Sequence, residues 1–565
     1  MNALIEAAET RLQGRWAAGI FLGLLIAVYF LPLGRAPLAT PDETRYAEIG
    51  REMLTSGDWI VPHLVGLRYF EKTPLGYWLI AGSIKLFGES AFAVRLPSAL
   101  ATVLSALLLI GFARRVVADR SRALVLGLAY LTTLEVFFIG TFAVLDAMLT
   151  LFCTAGIIAA WHSVRAVSGG RKMALAAGIC FGLAFLTKGF VALAVCGLVL
   201  VPWLWWEGRI DWIWRRGWLA VLALLATSLP WSLAIAAREP GFWPYFFWVE
   251  HIKRFFTGNA QHRAPFYYFL VSLPGLAFPW FSFAPAAVSG LRREGGPVWN
   301  AEMRLLALWC TLPFLFFSLS SGKLATYILP CLPPLVMLLG IGLLRYLDRP
   351  QRGWYRFGLV LNALVFVSIL VGVVWAQVSG GKAQLYSSNV TTVLPVLAAI
   401  LALIAAAVGW RARHATTSFA AAMCMVVPLQ FVIHFAMPEP GVKHNAPGPL
   451  LERFADRVGP DTVLVSDASV ARAVAWYYRR TDIYLTGRKG EMAYGLDYPD
   501  AASRYLDPEA FPAEFRQAVD GHPLLVFCDG VCAPALLRQL PQGAQRHRYG
   551  RFVLWWVPRH TSAIR

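Results

Sequence analysis

Two aspartates in this sequence lie where a carboxylate can do chemistry. Asp42 stands in a polar stretch with Glu43, Arg45 and Glu48, and Asp146 stands at the start of a long apolar run. A carboxylate can orient a nucleophile, accept a proton or hold a cation, and an acid beside an apolar helix is costly unless it is paired or hydrated. The structural alternatives are an acid stabilised by the helix dipole for Asp42 and a helix cap for Asp146. We take both as candidate catalytic residues, with those alternatives open.

Basic and phenolic residues form a second group of candidates. Lys72 lies beside aromatic residues, Arg254 follows an aromatic stretch in a later loop, and Lys323 and Tyr327 share a short turn between apolar runs. An ammonium or guanidinium group binds a lipid phosphate well, and a tyrosine hydroxyl can donate to it. The alternatives are lysines that anchor a helix at the membrane boundary and a tyrosine of the aromatic belt. Lys188, in a similar turn, has the same two interpretations.

A divalent metal is left open as a further component of the site. Glu71 and His251, together with Asp42 and His262, are residue types that bind metal, but no ligand-spacing motif joins them. A histidine that is simply satisfied at the surface is the alternative. We therefore predict no essential cofactor, with Glu71 and His251 as the metal ligands if a metal binds.

The cysteines carry little evidence of chemistry. The chain has eight, and none of them shows a zinc-binding spacing. Six lie in apolar runs and are predicted to be small packing residues. Cys528 and Cys532 lie in the polar tail, where they can form a disulfide if the tail is outside the cytoplasm; their short spacing restricts the geometry.

The elements that position these residues must lie mostly in lipid. Of 565 residues, 58% are hydrophobic and only 15% are charged, against roughly 25% charged in soluble proteins, and the mean hydropathy is +0.55. So much apolar surface cannot be buried in one water-facing core. The net charge of +18 comes from short basic clusters between apolar runs. That pattern is typical of cytoplasmic loops and contacts with lipid headgroups, not of nucleic-acid binding.

The apolar runs predict about thirteen transmembrane helices, since a membrane core needs about 20 apolar residues per span. The first is read as a retained span rather than a cleaved signal peptide, and basic clusters in every second loop predict a cytoplasmic N-terminus and a tail outside the cytoplasm. The predicted spans are 16–34, 92–113, 123–140, 144–163, 173–187, 189–206, 217–236, 266–289, 304–320, 327–344, 355–377, 391–410 and 417–437.

Two long loops, 35–91 and 237–265, fall on the extracytoplasmic side by the same count. Within the first, a capping box at residues 40–43 predicts an amphipathic helix at 41–55 that lies on the membrane. A second helix is predicted at 73–87 and a third within the later loop. The chain is thus predicted to consist of a transmembrane domain, 1–437, and a small periplasmic α/β domain, 438–565.

The tail supports that division by its pattern of strands and helices. Strands are predicted at 462–465, 483–485, 524–527 and 551–557, with helices at 469–478 and near 533–539.

The sequence resembles a known family, the bacterial 4-amino-4-deoxy-L-arabinose lipid A transferases. The resemblance runs through the whole membrane portion, whereas the tail matches mainly by position. The segments that carry it are residues 39–48 (ATPDETRYAE), 56–62 (SGDWIVP), 67–72 (LRYFEK), 187–189 (TKG), 246–251 (FFWVEH), 261–265 (QHRAP) and 322–327 (GKLATY).

That resemblance implies a GT-C glycosyltransferase, related to protein O-mannosyltransferases. It implies transfer of aminoarabinose from undecaprenyl phosphate to a phosphate of lipid A in lipopolysaccharide, at the periplasmic face of the bacterial inner membrane. Such a transfer confers resistance to polymyxin and other cationic peptides. By the same resemblance, Asp42 matches the acid of the first periplasmic loop that GT-C enzymes use at the reaction centre, and Asp146 matches a second loop acid.

The hypothesis for the mechanism assigns a role to each candidate. Lys72 and Arg254 bind the donor phosphate, with Lys323 and Tyr327 as helpers, because two anionic lipids must meet. Asp42 orients the acceptor, accepts a residual proton or holds the ammonium of the sugar. Two alternatives are a protein O-mannosyltransferase, which needs a peptide groove, and a secondary transporter, which would place its charges at the bilayer midplane.

Overall fold

The structure is a computed structural model that describes residues 15–117, 119–253, 262–292, 299–507, 515, 519–532, 534–538, 540 and 543–559. The chain divides into two compact units. The helical unit contains residues 1–33, 95–236 and 243–436. The mixed unit contains residues 34–94, 237–242 and 437–565, and therefore joins the first long loop to the tail.

The apolar segments form helices because a backbone in lipid must satisfy its hydrogen bonds within the segment. In the described ranges, nine helices are long and apolar enough to cross a membrane, or eleven if each of two bent pairs is one span. The protein is therefore a multi-pass helical membrane protein, as predicted. The predicted count of thirteen is not confirmed, although each predicted span coincides with a helix or a bent pair.

The α-helices of these segments are Arg15–Phe30, Ala91–Val116, Arg120–Leu131, Leu134–Gly140, Asp146–Arg165, Gly170–Lys188, Phe190–Trp206, Trp218–Arg238, Tyr268–Leu276, Ala284–Leu291, Ala301–Leu319, Leu332–Leu347, Gly353–Ser379, Asn389–Arg411, Ala415–Cys424 and Val427–Ile433. Two π-helices, Ile213–Gly217 and Pro244–Lys253, and the 3-10 helices Trp280–Phe283, Ala325–Cys331 and Gly381–Ala383 complete them.

Two spans that the sequence predicts as continuous are bent. The pair Arg120–Leu131 and Leu134–Gly140 bends by 65°, and the second pair, at 268–291, bends by 95°. At the first bend, the hydroxyl groups of Thr132 and Thr133 donate to backbone carbonyls of the preceding turn. At the second, a proline at position 279 has no N–H to continue the helical ladder.

In the mixed unit, the first loop forms the two predicted helices. One is Asp42–Ser56, here called the Asp42 helix, and the other is Leu75–Phe87. The predicted capping box does not form. The helix begins after Pro41 without a side-chain cap, and the Thr40 hydroxyl has no hydrogen-bond partner among the described residues. The Glu43 carboxylate accepts from the Ala39 amide at 2.9 Å, and the Thr40 amide donates to the Asn445 carbonyl. The prediction that this helix lies on the membrane is untested, but residues 43–53 are all buried.

The tail forms a five-stranded sheet. The strands are β3 (Val463–Asp467), β4 (Ile483–Thr486), β5 (Leu524–Asp529), β6 (Gln545–Tyr549) and β7 (Phe552–Val557). They lie in the order β4-β3-β5-β7-β6. The first three strands in that order are parallel, and β7 pairs antiparallel with both β5 and β6. The described tail is thus the α/β structure that the sequence predicts.

Short helices surround this sheet, and its core contains a disulfide between Cys528 and Cys532. The cysteine Cα atoms are 5.3 Å apart, within the usual range for a disulfide. The α-helices are Glu439–Asn445, Gly448–Glu452, Ala471–Tyr478, Ala493–Leu496 and Pro534–Arg538, and the 3-10 helices are Ala455–Arg457, Gly490–Met492 and Pro499–Arg504.

A small hairpin of the mixed unit depends on one buried carboxyl group. Its strands, β1 (His63–Leu64) and β2 (Leu67–Arg68), are joined by Val65 and Gly66, both with positive φ. That conformation is unfavourable for a β-branched residue. The Glu52 side chain stabilises it by accepting from both turn amides, at 2.5 and 2.9 Å.

Replacement of Glu52 by alanine is expected to destabilise the protein by about 1–3 kcal/mol, because two buried amides lose their acceptor. Burial and the negative charge of Glu48 raise the pKa of Glu52 well above its usual range. Glu52→Gln keeps an acceptor oxygen for one of the two amides and should therefore be tolerated better than Glu52→Ala. The measurement is the thermal unfolding midpoint in detergent, with Thr55→Ala on the exposed side of the same helix as control; equal midpoints for Gln and Ala would contradict the role.

Candidate functional site

Asp42 lies in the first turn of the Asp42 helix and is held by an arginine one turn later. The Arg45 Nη1 atom is 3.0 Å from Asp42 Oδ1. The side chain of Asp42 is 40% exposed, whereas that of Arg45 is only 11% exposed. The spacing of three residues brings the two side chains to the same helix face. The carboxylate is therefore accessible on one side and fixed by a buried cation on the other.

Arg45 is in turn bound to a residue of the tail, Glu491, which the sequence analysis did not identify. Arg45 Nη2 lies 2.5 Å from Glu491 Oε1. Glu491 also accepts from Tyr69 at 3.1 Å and from Arg472 at 3.2 and 3.3 Å. No local pattern could indicate this cluster, because Arg45 and Glu491 are 446 residues apart in the chain. The nearest signal was Arg45, three residues after Asp42.

The charges around Glu491 determine its ionisation. Burial alone would raise the pKa of Glu491, but Arg45 and Arg472, with hydrogen bonds from Arg472 and Tyr69, outweigh burial and lower the pKa to about 2. A depressed pKa means that the folded state favours the ionised form. Its contribution to stability is thus fully present above an unfolded-state pKa of about 4.3 and is lost as the pH falls towards 2.

Glu71 and Lys72 directly precede the helix Leu75–Phe87 in the same unit. The Lys72 ammonium donates to the Glu71 carbonyl at 2.8 Å and lies 3.9 Å from the Glu71 carboxylate. The Lys72 side chain is 19% exposed. A partly exposed lysine side chain can present its ammonium group to a phosphate.

In the helical unit, the structure brings together Asp146, Lys188 and Tyr327. Lys188 Nζ lies 2.7 Å from Asp146 Oδ1 and 5.2 Å from the centre of the Tyr327 ring. Asp146 begins the helix Asp146–Arg165, and Lys188 ends the helix Gly170–Lys188. The acid at the mouth of an apolar helix is thus paired, as its cost in that position requires.

Lys323 binds one carbonyl group of its own turn and one of a segment 59 residues away. Its ammonium donates to the carbonyls of Ala264, at 3.1 Å, and of Ser320. Burial lowers the pKa of Lys323. These carbonyls use two of the three N–H donors of the ammonium group. The predicted donor ligand Arg254 lies outside the described residues.

The predicted metal ligands fall in different units, Glu71 in the mixed unit and His251 in the helical unit. His251 Nδ1 lies 2.8 Å from the Phe246 carbonyl, which favours a proton on Nδ1 and leaves Nε2 as the nitrogen suited to coordination. Within the described part of the chain, no group of three or more His, Cys, Asp or Glu side chains is placed to hold a metal ion. The described residues therefore give no fit to a metal, and no step is assigned to one.

Two family models match the chain. The model described as "Dolichyl-phosphate-mannose-protein mannosyltransferase" matches residues 19–246, and the model described as "Arabinosyl transferase ArnT, C-terminal domain" matches residues 442–556. The first contains Asp42, Lys72 and Asp146, and the second contains Glu491. The two matches thus cover both ends of the Arg45–Glu491 ion pair.

Relatives match nearly the whole chain. The undecaprenyl phosphate-α-4-amino-4-deoxy-L-arabinose arabinosyl transferase of Aeromonas salmonicida is 40% identical over 89% of this chain and 92% of its own length. The protein of the same name from Edwardsiella ictaluri is 39% identical, over 94% and 97%. The crystal structure of ArnT from Cupriavidus metallidurans bound to undecaprenyl phosphate has a TM-score of 0.79 and 26% identity, covering 96% of this chain and 98% of its own. This multi-pass membrane protein therefore belongs to the undecaprenyl phosphate-α-4-amino-4-deoxy-L-arabinose arabinosyl transferases and is a glycosyltransferase.

Proposed function

We propose that the protein transfers 4-amino-4-deoxy-L-arabinose from undecaprenyl phosphate to a phosphate of lipid A, at the periplasmic face of the inner membrane. The donor is supported by the names of the full-length relatives and by the undecaprenyl phosphate in the related crystal structure. The observation that carries the assignment of the site is Asp42, an accessible carboxylate fixed by a buried arginine. The lipid A acceptor rests on the sequence resemblance.

The chemistry places modest demands on a base and large demands on electrostatics. A phosphate acceptor is already an anion, so Asp42 needs only to orient it, take a residual proton or hold the sugar ammonium. The harder task is to hold a second anion nearby and to stabilise the phosphate that leaves. Lys72 is our principal candidate for the donor phosphate, since its side chain is partly exposed and its ammonium group is already placed by the Glu71 carbonyl.

Further residues of the proposed site stay predictions. Asp146 is proposed as the second catalytic acid, already paired with Lys188. Lys323, Tyr327 and Arg254 are proposed to bind the donor phosphate.

The orientation in the membrane is also part of the proposal. The basic clusters of alternate loops support a cytoplasmic N-terminus. The disulfide between Cys528 and Cys532 supports a periplasmic tail, because disulfides persist in oxidising compartments. A periplasmic site has no nucleotide sugar, so a lipid-linked donor fits this location.

Replacement of Asp42 by asparagine tests the function and the site together. In cells that depend on this protein, we expect Asp42→Asn to lower aminoarabinose transfer by at least about 100-fold and to abolish polymyxin resistance, at unchanged protein abundance. The control is Asp500→Asn, which removes another exposed aspartate paired with an arginine, at 2.8 Å. The readout is the mass of lipid A. Full modification in Asp42→Asn would refute the site, and a sugar on a protein instead would favour the mannosyltransferase alternative.

Replacement of Lys72 by alanine is expected to weaken use of the lipid donor. Loss of one charge-assisted hydrogen bond, about 1.5–3 kcal/mol, corresponds to a KM for the donor raised by about 10- to 100-fold. The measurement is steady-state kinetics in reconstituted enzyme with a synthetic undecaprenyl-linked donor. Lys85→Ala, an exposed lysine of the same unit, should keep the original KM. Unchanged donor kinetics in Lys72→Ala would remove Lys72 from the phosphate site.

Cysteine labelling tests the proposed orientation. Asp497 in the tail and Val167 in a predicted cytoplasmic loop are both well exposed, at 72% of the side chain and 101% of the residue. In a background with the six unpaired cysteines replaced by alanine, Asp497→Cys should react with a membrane-impermeant maleimide in intact spheroplasts, because the tail faces the periplasm. Val167→Cys should react only after lysis. The reverse result would place the tail in the cytoplasm and contradict the location.

A further inference from the structure

We infer that Glu491 and Arg472, from the tail of the chain, are positioning residues that hold the Asp42 carboxylate in place through Arg45. The inference rests on the proposed function, in which Asp42 acts on the substrate. It assigns to the tail a part in the reaction itself. All four side chains belong to the mixed unit.

Arg45 binds two carboxylates at once. Its two terminal nitrogens divide between two carboxylates, with Nη1 at 3.0 Å from Asp42 and Nη2 at 2.5 Å from Glu491. A guanidinium group is planar, and its donors point in fixed directions. The position of one carboxylate therefore limits where Arg45 can present its other nitrogen. Glu491 sets the orientation from which Arg45 binds Asp42.

Glu491 is itself held in place by several hydrogen bonds. Arg472 donates from Nη1 to both of its oxygens and from Nη2 to the Ser469 carbonyl at 2.9 Å. The Tyr69 hydroxyl, from the first loop, donates to its second oxygen at 3.1 Å. The side chains of Glu491 and Arg472 are 12% and 4% exposed. The Arg45 side chain is 11% exposed and that of Asp42 is 40% exposed, so only Asp42 has a substantially accessible side chain.

The charges of these four side chains balance. Two carboxylates alternate with two guanidinium groups, so the cluster is neutral when all four are ionised. Without the charge of Glu491, Arg45 has lost its buried carboxylate partner and is free to turn fully towards Asp42 or away from it. Either change moves the Asp42 carboxylate or places a hydrogen bond on its second oxygen. A displacement of about 1 Å in a positioning group can cost 100-fold in rate.

The test is Glu491→Gln, which keeps the size and one acceptor oxygen of the side chain but removes its charge and replaces the other oxygen by an NH2 donor. In reconstituted enzyme we expect kcat to fall about 10- to 100-fold while the KM for the undecaprenyl-linked donor stays within twofold. The matched control is Asp529→Asn, which removes a carboxylate of the tail that pairs with Arg551 at 3.1 Å. It should leave kcat and KM unchanged. A merely structural role would lower the amount of folded protein without this split between kcat and KM.

The second measurement shows whether Glu491 acts through Arg45. In an Arg45→Gln background, Glu491→Gln should cause no further fall in kcat, because the connection is already broken. Where Glu491→Gln yields too little folded protein, Arg472→Lys provides the same comparison; it keeps the charge but loses the two-oxygen contact, and should lower kcat at constant KM.

Three results separate the possible failures. An unchanged kcat in Glu491→Gln would overturn the inference. So would a fall in kcat that is as large in the Arg45→Gln background as in the original protein. If Asp42→Asn is inactive in the same assay, the proposed function is still supported, whatever the result for Glu491→Gln. Full activity of Asp42→Asn would instead remove the site on which both rest.

Discussion

The ion pair between Arg45 and Glu491 is the interaction on which the arrangement around Asp42 depends. A buried carboxylate is stable only when its charge is compensated and its oxygens are hydrogen-bonded. Glu491 meets both conditions through Arg45, Arg472 and Tyr69. Because Arg45 is shared with Asp42, the structure that stabilises the buried acid also places the accessible one. Stability and the geometry of the candidate site therefore have a common physical cause.

The same kind of contact joins segments of the mixed unit that are far apart in the chain. Arg68 of β2 binds Glu239 at 2.9 Å, and Asp58 of the first loop binds Arg238 at 2.7 Å. Arg479 of the tail binds Glu89 at 2.8 Å. Each pair links two of the three segments that form the unit. The proposed boundary at residue 438 therefore separates parts of the sequence that share one compact unit.

Local features of the fold were predictable from the sequence, whereas distant contacts were not. The helices at 42–56 and 75–87 and strands β3, β4, β5 and β7 follow from periodicity over a few residues. Strand β6 was missed because its sequence, QRHRY, is mostly charged and polar, as suits an exposed edge strand. Asp42 stood out because of its polar neighbours in an apolar chain. Glu491 did not, since two of its partners, Arg45 and Tyr69, lie 446 and 422 residues away in the chain.

The contrast between Asp42 and Glu491 shows why environment, and not residue type, decides which acid can react. Glu491 has both oxygens engaged by three donor residues, and its depressed pKa means that it accepts a proton only in strong acid. Asp42 has one oxygen bound to one arginine nitrogen, and its side chain is 40% exposed. It therefore keeps lone pairs for a substrate hydroxyl, ammonium or shared proton. A carboxylate held on one side and open on the other is suited to orienting a ligand, because the fixed side removes the entropy of alignment.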